Sequence, residues 1–444
     1  MNKRLKCITL GCKVNQAESE ALLSHAEQVG RSVSDDAANG PSWVVVNTCT
    51  VTAKASMQSR QAIRKAIREN PGATIIVTGC YAQLQPDAIR GIPGVDYIIG
   101  QSEKHRIFEI IDAGAPGLSE TSVMVNPMVH ERQPFLQMPA PAFGRRTRPF
   151  LKIQDGCDSL CTYCIVPYSR GSSRSLPPDQ VQAELDELIR MGAKEIVLTG
   201  IHLGRWGMDL PGKPGLVSLL QSIVNRPGLE RLRLSSLEPA EISTPLLDFI
   251  KESNRICRHF HVPMQSGDPE ILKRMNRPYA PENYSETLQA IHDRLEDAAI
   301  GADIMVGFPG ETAPAFENTY KLIDALPISY LHVFPFSPRP PAPAACYPDP
   351  VPGGIARQRA RALADLGTLK KAAFYEKMKT RTLEVLVEKT IDRQAFLYKG
   401  LSSNYIPVYI DADGHIDTNR VVNCRMTGID QNLCVSARVI DNAG

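Results

Sequence analysis

Long apolar runs are missing from this 444-residue chain. No stretch approaches the roughly 20 residues that a membrane-spanning helix needs. The opening Met1-Asn2-Lys3-Arg4-Leu5-Lys6 also lacks the apolar core of a secretion signal. These absences lead to the expectation of a cytoplasmic protein with no membrane partner, in a compartment where thiols stay reduced. Charge of one sign is scarce too: Lys and Arg number 50 against 48 Asp and Glu, a formal net charge of +2. A nucleic-acid partner is therefore not announced by global charge and has to be argued from local patches. What remains is an ordinary globular composition, 43% apolar and 22% charged, too long for one compact core. Two or three domains are expected. Eleven cysteines, an odd number, read as metal ligands plus spares rather than a disulfide framework.

The densest group is Gly156-Cys157-Asp158-Ser159-Leu160-Cys161-Thr162-Tyr163-Cys164, directly after the apolar run 149–153. Zinc would want a fourth Cys or His close by, and Ile165-Val166-Pro167-Tyr168 supply none. Three thiolates on one tight loop can instead wrap one corner of a [4Fe–4S] cubane, leaving one iron without a protein donor. A small chelating ligand can bind that iron and receive an electron.

In the N-terminal third, apolar runs at 6–10, 43–47, 74–78 and 97–99 alternate with helical patterns, the helix from Ala53 stopping at Asn70-Pro71-Gly72. Continuous apolar strands between helices predict a doubly wound parallel sheet. Cys12, Cys49 and Cys80 each fall just past the end of a successive strand. Loops beyond strand C-termini converge on one crevice in such sheets, so three distant thiols can meet and hold a second cluster.

Residues 116–144, rich in Pro, Gly and small side chains, read as a linker, so that the first domain is 1–115. The basic cluster Arg145-Arg146-Thr147-Arg148 that follows is either solvated or placed to touch RNA phosphate. Six strand-like runs, from Phe150-Leu151-Lys152-Ile153 to Tyr330-Leu331-His332-Val333-Phe334, define a central domain at 145–378 built as a partial (β/α)6 barrel. The helix expected over 354–381 presents Leu363, Leu366, Leu369, Ala373 and Phe374 on an apolar side. Its eight Lys and Arg residues (Arg357, Arg359, Arg361, Lys370, Lys371, Lys377, Lys379, Arg381) make it the best local candidate for a phosphate backbone. Five short strands within 379–444 fit a small all-β barrel of the OB type. Its near-neutral charge fits a structural cap as well as an RNA-binding module.

The cysteine loop, with Ile153-Gln154-Asp155-Gly156 before it and Tyr168-Ser169-Arg170-Gly171 after it, resembles the radical S-adenosylmethionine (SAM) methylthiotransferases. The segments Thr9–Gln16, Asn47–Thr52 and Val77–Gln83 are similar to the three signatures of that family's N-terminal domain. Lys13-Val14-Asn15-Gln16 is most similar to the branch acting on threonylcarbamoyl-adenosine tRNA. The resemblance implies two [4Fe–4S] clusters, a radical-generating one on Cys157, Cys161 and Cys164 and an auxiliary one on Cys12, Cys49 and Cys80. It implies SAM near Gly200, Ser235, Glu238, Gln265 and Gly307, and no catalytic residue beyond the cluster ligands. The four histidines His202, His259, His261 and His332 receive no catalytic role, and Cys257 and Cys346 are expected to be non-ligands. The C-terminal module resembles the TRAM domain, chiefly through Gly400, Asn404 and Tyr405. The implied partners are the anticodon stem-loop of a tRNA, an electron donor and a sulfur source, with the protein acting as a monomer. The implied reaction places a methylthio group on carbon 2 of the modified adenosine. Alternatives are the same chemistry on isopentenyl-adenosine tRNA or a ribosomal-protein aspartate, or a non-catalytic RNA-binding iron–sulfur protein. One departure stands out: after Ser337-Pro338-Arg339-Pro340, where a Gly-Thr pair is usual, this chain continues Pro341-Ala342-Pro343. A stiffer loop is expected there.

Overall fold

The computed structural model describes residues 4–33, 40–114, 119–128, 134–139 and 146–440. Strands β1 (Arg4–Thr9), β2 (Ser32–Val33), β3 (Trp43–Thr48), β4 (Thr74–Gly79), β5 (Tyr97–Ile99) and β6 (Ser122–Met124) form one parallel sheet in the order β2-β1-β3-β4-β5-β6. Both faces are covered, because alternate residues of one strand enter different cores. Trp43 and Val45 pack with Leu22 and Ile107, whereas Val44 and Val46 pack with Ile63 and Ile89. The order reverses between β1 and β3, which makes the crevice beyond those two strand ends the ligand-binding switch point of such sheets.

The expected linker is corrected in part. β6 falls inside 116–144 yet pairs with β5, and Ser122 N–H donates to Asp96 O at 2.8 Å. Met128 and Met138 are buried as well. Three residues carry no periodicity from which a strand can be read. Residues 116–118, 129–133 and 140–144 of that segment lie outside the described ones.

In the centre, β7 (Phe150–Lys152), β10 (Glu195–Thr199) and β11 (Arg231–Leu234) form one parallel sheet. β12 (His259–His261), β13 (Ala299–Val306) and β14 (Tyr330–Pro335) form another. A short ladder of β8 (Gln154–Asp155) and β9 (Arg174–Ser175) lies beside the first. A bridge between Leu232 and Ile256 and the bond from Leu237 N–H to His261 O (3.0 Å) join the halves. Six parallel strands thus follow in chain order, with helices between them. Leu198, Leu232, Ile300, Ala302 and Ile304 point outward into the main core with those helices. Each large side chain there contributes about 1.5–3 kcal/mol by leaving water. The alternate positions, Glu195, Arg231, Arg233, His261 and Asp303, turn to the inner face.

The basic helix spans Gly353–Met378. Its buried stripe runs through Ala356, Arg359, Leu363, Leu366, Tyr375 and Met378. Leu369 is 67% exposed and Ala373 is exposed too, against expectation, because a 3.6-residue period carries them off that stripe. Several cations expected to face a phosphate backbone are engaged internally. Arg359 is buried against Glu311 (2.5 Å), Lys370 donates to the carbonyls of Asp324 and Leu326, and Arg381 pairs with Glu296. Arg357, Arg361 and Lys377 remain exposed.

Beyond it, β15 (Thr382–Asp392) pairs with β16 (Leu397–Ser402) and β18 (Val421–Ile429), and β17 (Pro407–Asp411) lies between β16 and β19 (Val435–Val439). β19 also pairs with β18. All five expected strands are present, with shifted ends. This module sits at the N-terminal ends of the central strands, opposite the cysteine loops. Arg233 donates to Ser402 O and Ser403 O, Asn404 to Asp297 O, and Asn419 to Gly192 O. Tyr405 stacks on His259 with ring centroids 4.1 Å apart.

Candidate metal centre and active site

Cys12 lies three residues past β1, Cys49 directly follows β3, and Cys80 opens the short helix Cys80–Leu84 after β4. Parallel register sets the three strand ends side by side, so the three thiols line one cavity of about 420 Å³. Cys12 is open to that cavity, while Cys49 and Cys80 are buried in its wall. Gly11 has φ +96°, and a Cβ there would lie 2.8 Å from Cys49 Cβ, so only glycine lets the first loop approach the second. Asn15 ties the loops together: Nδ2 donates to Leu10 O (2.8 Å) and Thr48 O (3.0 Å), and Oδ1 accepts from Arg170 (2.6 Å). Ser59 holds Cys49 from both sides of its peptide.

The second set is anchored by other elements. Thr162 N–H donates to Met275 O (3.1 Å), Thr162 Oγ1 to Arg274 O (2.8 Å), and Asn276 to Leu160 O (2.9 Å). Donors also aim at the sulfurs: Ser159 N–H at Cys157 (3.4 Å), Arg277 at Cys161 (3.5 Å) and, in the first set, Gln101 at Cys80 (3.5 Å). His202 Nδ1 lies 3.4 Å from Cys157 Sγ. Such N–H···S contacts suit cysteine ligands of an iron–sulfur cluster, whose potential they tune.

Burial pushes the Cys49 thiol up to about 11 and Cys164 up to about 12, and raises Cys12. At neutral pH these groups are protonated unless a metal ion supplies the compensating charge, which deprotonates a coordinating thiol outright. Three-thiol donor sets, a cavity lined by all three thiols of the first and hydrogen bonds to sulfur in both therefore fit clusters. Among the described residues Cys257 is buried beside Arg233 and Cys346 is exposed, and neither lines these cavities.

The two sets share walls. The cavity beside Cys164, about 260 Å³, is lined by Val51, Val166, Gln265, Met305 and Phe334, and Val51 and Val166 also line the first cavity. The proline-rich loop spans them. Arg339 hydrogen-bonds Thr50 and Ser56, Ser337 Oγ accepts from Ala53 N–H, and Ala344 N–H donates to Thr162 O (2.8 Å). The loop thus braces the Cys49 and Cys161 loops, with Ser337 and Arg339 from the usual stretch on one side and Ala344, just past the departure, on the other.

A buried ion network underlies both. Glu18, from the helix Lys13–Gln28, meets Lys104, Lys152 (3.1 Å) and Arg170 (3.1 Å), and Arg170 also meets Asp155 at 2.9 Å. Against the penalty of burial, Arg170, Lys104 and Lys152 hold the Glu18 carboxyl well below the usual range. Sequence reasoning missed this network, since Glu18 and Arg170 are separated by 152 positions. The basic cluster is corrected likewise. Arg146 pairs with Glu20, and Arg148 donates to Glu388 at 2.6 Å, so neither is a free phosphate contact. Arg145 lies outside the described residues.

The other sequence candidates fall at the strand ends but not all in one place. Gln265, with φ +64°, lines the Cys164 cavity, and among the described residues its Oε1 is buried without a hydrogen-bond partner. Ser235 Oγ is also buried and unpartnered. Glu238 pairs with Arg277 in a neighbouring cavity with Asp158, His202 and Tyr279. Gly200 packs on Gln154, where a Cβ would lie 2.8 Å from Oε1. Gly307 stands apart: its N–H donates to Glu311 (2.7 Å), and its α-carbon faces Ala356.

Residues 151–323 match the Radical SAM superfamily, and residues 4–100 match a family described as the uncharacterized protein family UPF0004. The threonylcarbamoyladenosine tRNA methylthiotransferase MtaB of Bacillus subtilis is 37% identical over 90% of this chain and 88% of its own. The enzyme of that name from Rickettsia prowazekii is 36% identical over 97% and 96%. The chain belongs to the threonylcarbamoyladenosine tRNA methylthiotransferase family. Among solved structures, the radical S-adenosylmethionine methyltransferase TsrM of Kitasatospora setae matches with a TM-score of 0.57. It covers 78% of this chain and 77% of its own at 18% identity, a likeness of fold alone. Among the described residues of this family member, no helix is long and apolar enough to cross a membrane.

Proposed function

We propose that this radical SAM enzyme inserts a methylthio group at carbon 2 of a threonylcarbamoyl-adenosine beside the anticodon of a tRNA. The observation that carries the reading is that the cavity lined by Cys12, Cys49 and Cys80 and the cavity beside Cys164 share Val51 and Val166. An aromatic C–H is too inert for acid–base displacement, so activation and sulfur delivery must occur within one space. When bound, a [4Fe–4S] cluster on Cys157, Cys161 and Cys164 supplies the one-electron chemistry with SAM, and a second on Cys12, Cys49 and Cys80 supplies the sulfur.

The chain's own residues bind and orient. Gln265 and Ser235 offer buried, unpartnered oxygens to a polar ligand, as SAM presents, and Glu238 offers a carboxylate. Gly200 contributes close approach, and Gly307 can offer only its carbonyl, its N–H being engaged. Val51, Ile165, Val166, Met305 and Phe334 give the cavity beside Cys164 a largely apolar wall, which limits water around a reactive species. Exposed Arg357, Arg361 and Lys377, with the small TRAM-like barrel, are the surfaces offered to the anticodon stem-loop. The domains are taken as an N-terminal α/β unit, the partial (β/α)6 barrel and that small barrel. A cytoplasmic monomer supplied by a separate electron donor and sulfur source completes the reading.

The test is nucleoside mass spectrometry of tRNA from a strain lacking the gene, complemented by wild type or Cys161→Ala. Methylthiolated threonylcarbamoyl-adenosine should vanish, return with wild type and stay absent with the variant. Its persistence in the deletion strain rejects the substrate. In the purified, cluster-loaded protein, Cys161→Ala should abolish release of 5′-deoxyadenosine from SAM.

A further inference from the structure

The helix Ala53–Glu69 begins where the first cysteine cavity opens. Ala55 and Gln58, in its first two turns, line that cavity beside Cys12, Cys49 and Cys80. Packing fixes its inner face: Ser56, Ser59, Ile63 and Ala66 are buried, the last two in one core with Val44, Val46, Ile75 and Val77 of the sheet. At 3.6 residues per turn, Lys54, Met57, Gln61, Arg64 and Arg68 then fall within an arc of about 80° on the opposite side. All five are exposed. The stripe runs about 21 Å from Lys54, next to the cavity-lining Ala55, to Arg68.

The helix holds five basic residues and one acid. Two of the five are engaged: Arg60 donates to the Tyr81 hydroxyl (3.1 Å), and Lys65 pairs with Glu69 at 3.8 Å. Among the described residues Lys54, Arg64 and Arg68 have no ion pair. Other exposed helix cations differ: Arg90, Arg190 and Lys321 each have an acid about one turn away on their own helix. The chemistry also changes along the stripe. Near the cavity it offers Met57, 43% exposed, and the amide of Gln61, groups that suit unstacked bases. Farther out it offers the guanidinium groups of Arg64 and Arg68, which suit phosphates. A hairpin RNA presents those partners in the same order, an unpaired loop and then a charged stem.

We propose that this helix face is a track for the substrate RNA, with the loop over Met57 and Gln61 and one strand of the stem along Arg64 and Arg68. This rests on the substrate reading above and adds a contact surface on the N-terminal domain. An acidic electron-carrier protein would also be attracted by three cations. Electron transfer calls for a compact contact close to a cluster, however, whereas this row leads away from the cysteines for about 21 Å. A row that starts at the cavity the base must enter fits the RNA.

The experiment measures binding of the cluster-loaded full chain to an anticodon stem-loop RNA carrying threonylcarbamoyl-adenosine, over a salt series. The triple variant Lys54→Gln, Arg64→Gln, Arg68→Gln should bind about tenfold more weakly at low salt. Its slope of log affinity against log salt should be shallower by about 2. A charge-matched triple, Arg90→Gln, Arg190→Gln, Lys321→Gln, should match wild type in both. Iron content and the thermal unfolding midpoint report that each variant is folded and loaded. Arg64→Gln with Arg68→Gln should gain less affinity than wild type when the stem is lengthened by several base pairs. An unchanged slope in the first triple, or an equal loss in the charge-matched one, overturns the track. So does slower cluster reduction by an acidic flavoprotein with RNA binding intact. Methylthiolation by wild type is scored separately. RNA bound through the track without methylthiolation removes the substrate reading and keeps the track, whereas methylthiolation with an unchanged slope removes the track alone.

Discussion

The central strands are gripped at two ends by two modules, and the grips are built differently. At the N-terminal domain, side-chain charge meets side-chain charge: Glu18 among Lys104, Lys152 and Arg170, all nearly inaccessible to water. At the C-terminal module, Arg231 and Arg233 share Glu195 within the core and donate chiefly to backbone carbonyls of Glu384 and residues 401–403, with side-chain pairs Arg231–Glu384 (3.4 Å) and Arg148–Glu388 (2.6 Å) beside them. Every residue has a carbonyl, so the carbonyl part of the second contact tolerates sequence change in the module. The first depends on one carboxylate. The dependent grip lies under the cysteines, where a small displacement would separate the two sets.

Glu18→Gln tests the dependent grip and carries the largest effect. It leaves three buried cations short of a counter-charge, at a cost of about 3–5 kcal/mol. The first thermal unfolding transition should move down clearly, and an unchanged transition would show that the network is not what docks the domain. Glu195→Gln comes next. Arg231 and Arg233 keep their carbonyl acceptors, so about 2–3 kcal/mol is expected. Limited proteolysis should then release the C-terminal module more readily, and a loss as large as that of Glu18→Gln would erase the distinction.

Acid sharpens the comparison. Against the burial penalty, Arg233 and Arg231 lower the Glu195 carboxyl to about 2. Its folded value lies below the unfolded one of about 4.3, so its stabilisation is complete above that pH and is lost as pH falls towards the folded value. Glu18 is displaced in the same direction. Stability should therefore decline below roughly pH 4, and less steeply in Glu195→Gln. The smallest effect belongs to the surface. Lys65→Ala, breaking an exposed pair with Glu69 at 3.8 Å, should change stability by less than about 0.5 kcal/mol.

The difference between the grips also explains what could be read from the chain. Cys12, Cys49 and Cys80 were legible because each follows an apolar strand, and parallel register alone brings strand ends together. Six central strands and the five of the C-terminal module were legible from apolar runs. The Glu18–Arg170 contact was not, since a charged residue in a helix looks the same whether buried or solvated. Arg146 and Arg148 misled for the same reason: their acids, Glu20 and Glu388, are remote in sequence.

The proposed function requires two separate clusters, three thiols to each. The most direct measurement is the iron content of anaerobically reconstituted wild type and Cys49→Ala, taken with 5′-deoxyadenosine release from SAM. About eight irons per chain falling to about four, with release retained, is the predicted result. A wild type that loads only about four irons, or a Cys49→Ala protein that keeps all eight, would contradict it.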